Sequence, residues 1–324
     1  MESGNLQNGI KPIKIGISAC LLGHKVRYNG GHQHDRFITD TLGKFMEFVP
    51  VCPEVECGLG IPREAMRLTG DPENPRLITS KTGIDHTDKM KTWAEIKVKE
   101  LENEQLCGFI FKSKSPSSGM ERVRVYGDGN TVQQNGVGMF ARAFMNHCPR
   151  LPVEEDGRLN DIVLRENFIE SIFVFQRWQK LLKEQPSMGG LVKFHTEHKL
   201  QLMSHSLKHY QAMGRLVAHG KKIPTSELLD QYEDGLVQAM RLKPTIKKQV
   251  NVLQHIVGHF KKSLSKDEKQ ELQEIISHYR ETLLPLIVPV TLINHYVRKY
   301  RSEYLAKQYY LNPHPLELKL RNHA

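Results

Sequence analysis

Three short segments in the first 120 residues place small polar or sulfur side chains directly after apolar runs that predict buried strands. Cys20, Cys52 and the stretch Ser115–Ser118 each follow such a run. In an open parallel sheet, ligands bind outside the carboxyl ends of the strands, so residues that are distant in sequence meet there. The sequence therefore predicts an active site that combines two thiols with a hydroxyl-rich turn.

Each segment also carries groups suited to chemistry. In Cys52-Pro53-Glu54 a carboxylate lies two residues from a sulfur, where it can act as a general acid or base if the pocket raises its pKa. The alternatives are a buried inert thiol and a solvated carboxylate. The segment Lys112–Gly119 is a hydroxyl-rich turn flanked by Lys112 and Lys114, which suits a phosphate or another anion.

Taken together, the segments Ser18–Gly23, Cys52–Glu54 and Lys112–Gly119 resemble the thiouracil desulfidase family, which shows the same motifs in the same order. The resemblance covers about residues 12 to 150. Segments of the second half, Phe194–Leu200, Asn251–Ile256 and Pro285–Pro289, resemble a separate helical domain. The fusion of the two looks like tRNA 4-thiouridine desulfidases, in which the extra domain is thought to bind RNA.

The resemblance implies a [4Fe-4S] cluster held by three residues, with one open iron that accepts the sulfur of a thiocarbonyl while water attacks the carbon. Cys20 and Cys52 match two of the cluster ligands. Glu54 matches the catalytic acid/base, and Ser115 matches the catalytic hydroxyl. The third ligand position falls on Ser118, where the family has a cysteine.

A serine at this position leaves three explanations open, because iron–sulfur clusters are held overwhelmingly by sulfur. Ser118 is an engineered substitution, or Cys57 or Cys107 supplies the missing thiolate, or the cluster is lost. We favour substitution or impairment over rescue. A structural zinc held by Cys20, Cys52 and a neighbouring group is a further alternative.

The surrounding sequence predicts the elements that position these residues. The first half alternates short β-branched runs with amphipathic stretches, which is typical of a Rossmann-like α/β domain with a mostly parallel sheet. We expect strands at 13–19, 46–51 and 107–113, and helices around 33–46, 85–105 and 137–147. The second half predicts an all-α domain that includes a helix over 295–310. The expected domains are an iron-sulfur desulfidase domain (1–160), a connecting helix and linker (161–190) and a basic helical domain that binds tRNA (191–324).

Charge divides the chain unevenly. The net charge is +10, and residues 186–324 hold 21 Lys and Arg against 12 Asp and Glu. A basic domain beside a neutral one suggests a polyanion such as nucleic acid, although a solvated basic surface without a partner is the alternative. The candidate RNA contacts are Lys112, Lys114, Lys247, Lys248, Lys261, Lys262, Arg298 and Arg301.

The cysteine content and the apolar runs bear on location. Five cysteines without regular spacing, after a start that has no apolar core, predict a cytoplasmic protein. The longest apolar run, 283–293, is too short for a membrane span, and no obligate protein partner is evident. We predict an enzyme that removes sulfur from 4-thiouridine in tRNA, with thiolated nucleobases as small substrates. The alternative is a non-catalytic RNA-binding protein that has lost its cluster.

Overall fold

The chain forms two compact units, Met1–Asn160 and Asp161–Ala324. A computed structural model describes residues 13–127 and 131–322. Residues 1–12, 128–130 and 323–324 of the predicted domains lie outside the described residues. The described part of the first unit is an α/β domain, and the described part of the second contains helices and turns only. The predicted fold classes are therefore confirmed.

The first unit is built around a four-stranded parallel sheet, sheet A. Its order is β2-β1-β5-β8, and every neighbouring pair is parallel. The strands are β1 (Ile13–Ser18), β2 (Met46–Val51), β5 (Phe109–Phe111) and β8 (Val153–Glu155). Such strands are buried on both faces and read as continuous apolar runs, which is why the sequence predicted three of them.

A second sheet, sheet B, is mixed. Its order is β4-β3-β6-β7, with one parallel pair between two antiparallel pairs. The strands are β3 (Met66–Thr69), β4 (Arg76–Thr79), β6 (Val123–Tyr126) and β7 (Val132–Gly136). These strands are short and half exposed, so their sequences carry little of the apolar signal that marks a buried strand.

Two of the three predicted helices of this unit are regular, and one is not. The regular helices are α2 (Thr87–Asn103) and α3 (Met139–His147), with a short helix α1 (Pro53–Glu56) after β2. The predicted helix over 33–46 is instead a π turn (Phe37–Thr41) followed by a 3-10 turn (Leu42–Lys44). β-branched residues at 38, 39 and 41 and Gly43 lower the α-helix propensity of this stretch.

Strand β5 is shorter than the predicted 107–113. At its carboxyl end, hydrogen bonds to side chains take the place of backbone hydrogen bonds to a neighbouring strand. The backbone N–H of Lys112 donates to Ser18 Oγ (2.9 Å), and that of Ser113 donates to Asp156 Oδ1 (2.7 Å). Both bonds keep buried backbone groups satisfied while the chain leaves the sheet.

The second unit is a helical bundle. Its helices are α4 (Ile162–Glu184), α5 (Met188–His205), α6 (Leu207–His219), α7 (Thr225–Met240), α8 (Ile246–His259), α9 (Lys266–Arg280), α10 (Ile287–Lys299) and α11 (Glu303–Ala306). Helix α9 begins with a capping box, in which the side chains of Ser265 and Glu268 each accept the backbone N–H of the other residue. No helix in the described part of the chain has the length and apolarity to cross a membrane.

Two features of this unit differ from the sequence prediction. Residues 161–190, expected to connect the domains, pack into the bundle, since Trp178 of α4 is buried and stacks on Tyr232 of α7. The predicted helix 295–310 is split, because α10 ends at Lys299 and Arg301 takes a left-handed backbone conformation (φ 49°). An α-helix cannot continue through that conformation.

Candidate active site

The three predicted loops leave sheet A at the same edge. Ser18, the last residue of β1, pairs in register with Val51, the last residue of β2. The hydrogen bond from Lys112 N–H to Ser18 Oγ brings the chain after β5 to the same place. Cys20, Cys52 and the Ser115–Ser118 turn therefore begin from one edge, as expected for ligand-binding loops of a parallel sheet.

Cys20 lies in a 3-10 turn (Ala19–Leu22) directly after β1. Its carbonyl accepts the backbone N–H of Gln33 (2.9 Å), which holds the following loop over it. Burial raises the pKa of the Cys20 thiol to about 11. The positive charges of Lys112 and Arg27 oppose that rise, whereas Glu54 adds to it, so these three groups lie within electrostatic range of the sulfur.

Cys52 and Glu54 are set by the start of helix α1. Cys52 is the N-cap residue, and its N–H donates to Glu56 Oε1 (2.8 Å). The Cys52 sulfur lies 3.6 Å from Glu54 Oε2. Burial, followed by the negative charge of Glu54, raises the pKa of the Cys52 thiol to about 12. Burial thus disfavours the thiolate form of both side chains, and a bound metal ion would favour it.

The carboxylate of Glu54 is held from two sides. Ser117 Oγ donates to Oε1 at 2.6 Å, and Arg63 Nη2 lies 3.6 Å from Oε2. Arg63 is itself anchored, because its Nη1 donates to the carbonyl of Val26 (3.0 Å). A carboxylate fixed in this way, beside a thiol and a hydroxyl, is oriented to take and return a proton at one place.

The Ser115–Ser118 turn presents its hydroxyls toward that carboxylate. Ser115 Oγ lies 3.0 Å from Ser117 Oγ and accepts the backbone N–H of Ser118 (3.1 Å). The Ser118 side chain is buried, with its Oγ 3.5 Å from Ser117 Oγ. The turn thus offers two hydroxyl groups at the site in addition to the predicted Ser115.

Gly138 allows the turn to pack closely against the start of helix α3, and Gly119 allows the turn itself to close. A Cβ at Gly138 would lie 2.6 Å from the carbonyl carbon and oxygen of Ser117, and a Cβ at Gly119 would lie 2.8 Å from the carbonyl oxygen of Ser115. Distances this short are not tolerated between a Cβ and backbone atoms, so only glycine fits.

Of the two cysteines considered as a replacement third ligand, Cys57 borders the site and Cys107 lies away from it. Cys57 packs in an apolar cluster with Leu68 and Met90, and its Sγ lies 3.3 Å from the carbonyl of Glu54. Cys107 N–H bonds the carbonyl of Lys14 at the opposite end of β1, about 13 Å from Ser18 at the rise of a strand. Among the described residues, no three His, Cys, Asp or Glu side chains gather as a metal site.

The candidate RNA contacts fall into two sets. Lys112 Nζ is paired with Asp156 (2.8 Å), and Lys248 Nζ donates to the carbonyls of His205 (2.7 Å) and Lys243 (2.9 Å). These two lysines therefore have structural partners. The exposed set consists of Lys114, Lys247, Lys261, Lys262, Arg298 and Arg301.

Sequence reasoning did not single out Arg63, Ser117 or Asp156. Arg63 lies within residues 12 to 150, which the family resemblance covers, and Ser117 lies between Ser115 and Ser118, which were chosen. Their roles depend on partners 63 residues away for Ser117 and 44 residues away for Asp156, which no local pattern reveals.

An α/β domain with thiols, a carboxylate and hydroxyls at its strand ends matches a known family. Residues 15–156 match the family described as 2-thiouracil desulfurase, and residues 199–315 match a protein family of unknown function, DUF1722. Within the first unit, residues 15–156 are thus similar to thiouracil desulfurase family domains, and within the second unit residues 199–315 are similar to DUF1722 domains.

Two individual proteins are similar to this chain. The uncharacterized protein YbgA of Escherichia coli (strain K12) is 28% identical over 152 residues, which are 47% of this chain and 90% of that protein. The solved structure of the [4Fe-4S]-dependent thiouracil desulfidase TudS is 29% identical and covers 48% of this chain and 97% of its own, with a TM-score of 0.39.

Proposed function

We propose that the chain is a desulfidase that replaces the thiocarbonyl sulfur of a thiolated pyrimidine by oxygen, and that its substrate is 4-thiouridine in tRNA. The observation that carries the proposal is the meeting of Cys20, Cys52, Glu54 and Ser115 at one sheet edge in a thiouracil desulfurase family domain. Smaller thiolated nucleobases fit the same chemistry.

The proposed cofactor is a [4Fe-4S] cluster bound by Cys20, Cys52 and Ser118. The donor set fits such a cluster at two of its three positions, because Cys20 and Cys52 are buried thiols, whereas the third donor is the hydroxyl oxygen of Ser118. When bound, such a cluster supplies a Lewis-acidic iron that can accept a thiocarbonyl sulfur. Serine oxygen is a harder ligand than thiolate, so we expect the cluster to be bound weakly.

The residues of this chain supply proton handling. The reaction consumes one water: its oxygen bonds to the carbon, the carbon–sulfur bond breaks, and the sulfur leaves as hydrogen sulfide. Glu54 takes a proton from the attacking water and returns it to the departing sulfur. Ser115 places a hydroxyl oxygen at the site beside these groups, and Arg63 keeps the Glu54 carboxylate in place.

The basic second unit is proposed to hold the tRNA. Its exposed lysines and arginines suit a phosphate backbone, and binding of this kind weakens steeply as salt is added. A base inside folded RNA must be presented in an open form to reach a pocket, so a second binding unit has a physical purpose.

The decisive experiment follows 4-thiouridine in tRNA by nucleoside mass spectrometry. The chain and its Ser118→Cys variant are each reconstituted without oxygen with iron and sulfide, and iron per chain is measured in parallel. We expect the variant to hold more iron and to convert 4-thiouridine to uridine faster, because a thiolate completes the site. Conversion by neither protein would contradict the proposal.

One observation favours a second candidate function, a tRNA-binding protein without catalysis. The hydroxyl at Ser118, in place of a third thiol, is what such a protein would show. It would stay free of iron after reconstitution yet bind tRNA with salt-dependent affinity, which the same experiment and a binding titration distinguish.

A further inference from the structure

The hydroxyl of Ser117 lies between the two groups predicted to be catalytic. Its Oγ is 2.6 Å from Glu54 Oε1 and 3.0 Å from Ser115 Oγ. Ser117 has no exposed surface, so both bonds are shielded from water. The three groups form one continuous hydrogen-bonded chain.

The charge of the carboxylate decides which group donates and which accepts in these hydrogen bonds. A serine hydroxyl has one proton, and an ionised carboxylate can only accept. When Glu54 is ionised, the Ser117 hydroxyl therefore donates a hydrogen bond to it. Ser117 must then accept a hydrogen bond from the Ser115 hydroxyl. The Ser115 O–H is thereby aimed at Ser117, while its oxygen accepts the backbone N–H of Ser118 (3.1 Å).

The position of Ser117 is set by its backbone. Its carbonyl accepts the N–H groups of Phe140 (2.9 Å) and Ala141 (3.1 Å) at the start of helix α3, and Gly138 permits that approach. Because the backbone is anchored to a helix, the hydroxyl can fix its partners instead of following them.

We propose that Ser117 is a positioning residue of the site, which aligns the Ser115 hydroxyl with the Glu54 carboxylate through a shared hydrogen-bonded bridge. Arg63 holds the other oxygen of the same carboxylate, so the two residues together set its plane. The inference rests on the proposed desulfidase function and adds a residue to it.

The test compares Ser117→Ala, Ser117→Thr, Ser115→Ala and the double alanine variant, all in the full chain carrying Ser118→Cys and reconstituted with iron. The substrate is 2-thiouracil, and kcat, KM, iron per chain and melting temperature are measured. Ser113→Ala is the matched control, since among the described residues the Ser113 Oγ accepts a hydrogen bond from Lys112 (3.1 Å) and is not bonded to Glu54, Ser115 or Ser117.

We expect Ser117→Ala to lower kcat about 10- to 100-fold, the usual cost of losing a partner that orients a functional group, with KM and iron content unchanged. Ser117→Thr keeps the hydroxyl and restores kcat. The double variant is no slower than the slower single variant, because the two hydroxyls act as one unit. Ser113→Ala leaves kcat unchanged.

Other outcomes overturn the inference. Full kcat in Ser117→Ala, equal losses in the alanine and threonine variants with unchanged melting temperature, or additive losses in the double variant would each do so. If no protein turns over 2-thiouracil, the proposed activity on free thiolated bases fails, and crystal structures decide the positioning role separately. Glu54 and Ser115 side chains that keep their places in Ser117→Ala would then refute it.

Discussion

At the scale of single residues, the site is defined by groups whose partners are far away in the sequence. The Glu54 carboxylate is bonded by Ser117 and lies beside Arg63, and the Arg63 side chain is 11% exposed. Burial of this kind makes each partner matter, because a buried polar group without a partner loses its hydrogen bond to water as well. The Arg76–Asp85 ion pair lies at the surface instead, since the Arg76 side chain is 67% exposed and remains in contact with water.

This contrast predicts different costs for two similar substitutions. Arg63→Met removes the N–H donor to the Val26 carbonyl and the cation beside Glu54 Oε2, and we expect it to lower the free energy of unfolding by about 1 to 3 kcal/mol. Arg76→Met breaks a surface ion pair and should cost less than about 1 kcal/mol. Urea unfolding of the full chain measures both. Equal losses in the two variants would mean that the buried Arg63 contacts stabilise the fold no more than the surface ion pair does.

At the scale of elements, the site depends on how one turn meets one helix. The carbonyl of Ser117 accepts two N–H groups at the start of α3, and these are among the donors that a helix N-terminus leaves unpaired. Glycines at 119 and 138 bring the two backbones into contact. The positions of the hydroxyls in the turn therefore depend on the position of helix α3.

Gly138→Ala is expected to disturb the site without touching any functional side chain. The new Cβ would meet backbone atoms of Ser117 at 2.6 Å, so the turn must shift. We predict a kcat on 2-thiouracil lower by about 10-fold or more, since small misplacements in an active site have large costs. Gly258→Ala is the matched control, because nothing lies within 4 Å of its added Cβ. Unchanged kcat in Gly138→Ala would refute this dependence.

At the scale of the whole molecule, two units with separate cores share one chain. The first unit buries Phe109, Phe111 and Phe140 around sheet A, and the second has its own apolar clusters around Trp178 and around Ile293. Nearly all of the excess positive charge lies in the second half of the sequence. The division suggests chemistry in one unit and polyanion binding in the other.

Separating the units tests this division of labour. Residues 1–160 carrying Ser118→Cys and a reconstituted cluster should process 2-thiouracil as the full chain does, since the proposed site lies within this unit. Their kcat/KM on 4-thiouridine tRNA should fall by about 10-fold or more at low salt, because the basic unit no longer attracts the RNA. Mass spectrometry of both substrates measures this. Equal activity on tRNA would contradict a binding role for the second unit.

The sequence by itself determined much of this protein. The apolar runs after residues 12 and 45 predicted β1 and β2 almost to the residue. Motif spacing was enough to choose Cys20, Cys52, Glu54 and Ser115, because each follows a strand whose end the sequence marks. The uneven distribution of charge between the two halves of the sequence follows from counting its charged residues.

Only the tertiary structure decided the rest. The short, half-exposed strands of sheet B, the irregular turns at 37–44 and the break at Arg301 depend on local geometry that weak propensities do not encode. The roles of Arg63 and Ser117 depend on contacts with Glu54 that span 9 and 63 residues. Such contacts are specified by the packing of loops around one sheet edge, and no pattern in a single segment contains that information.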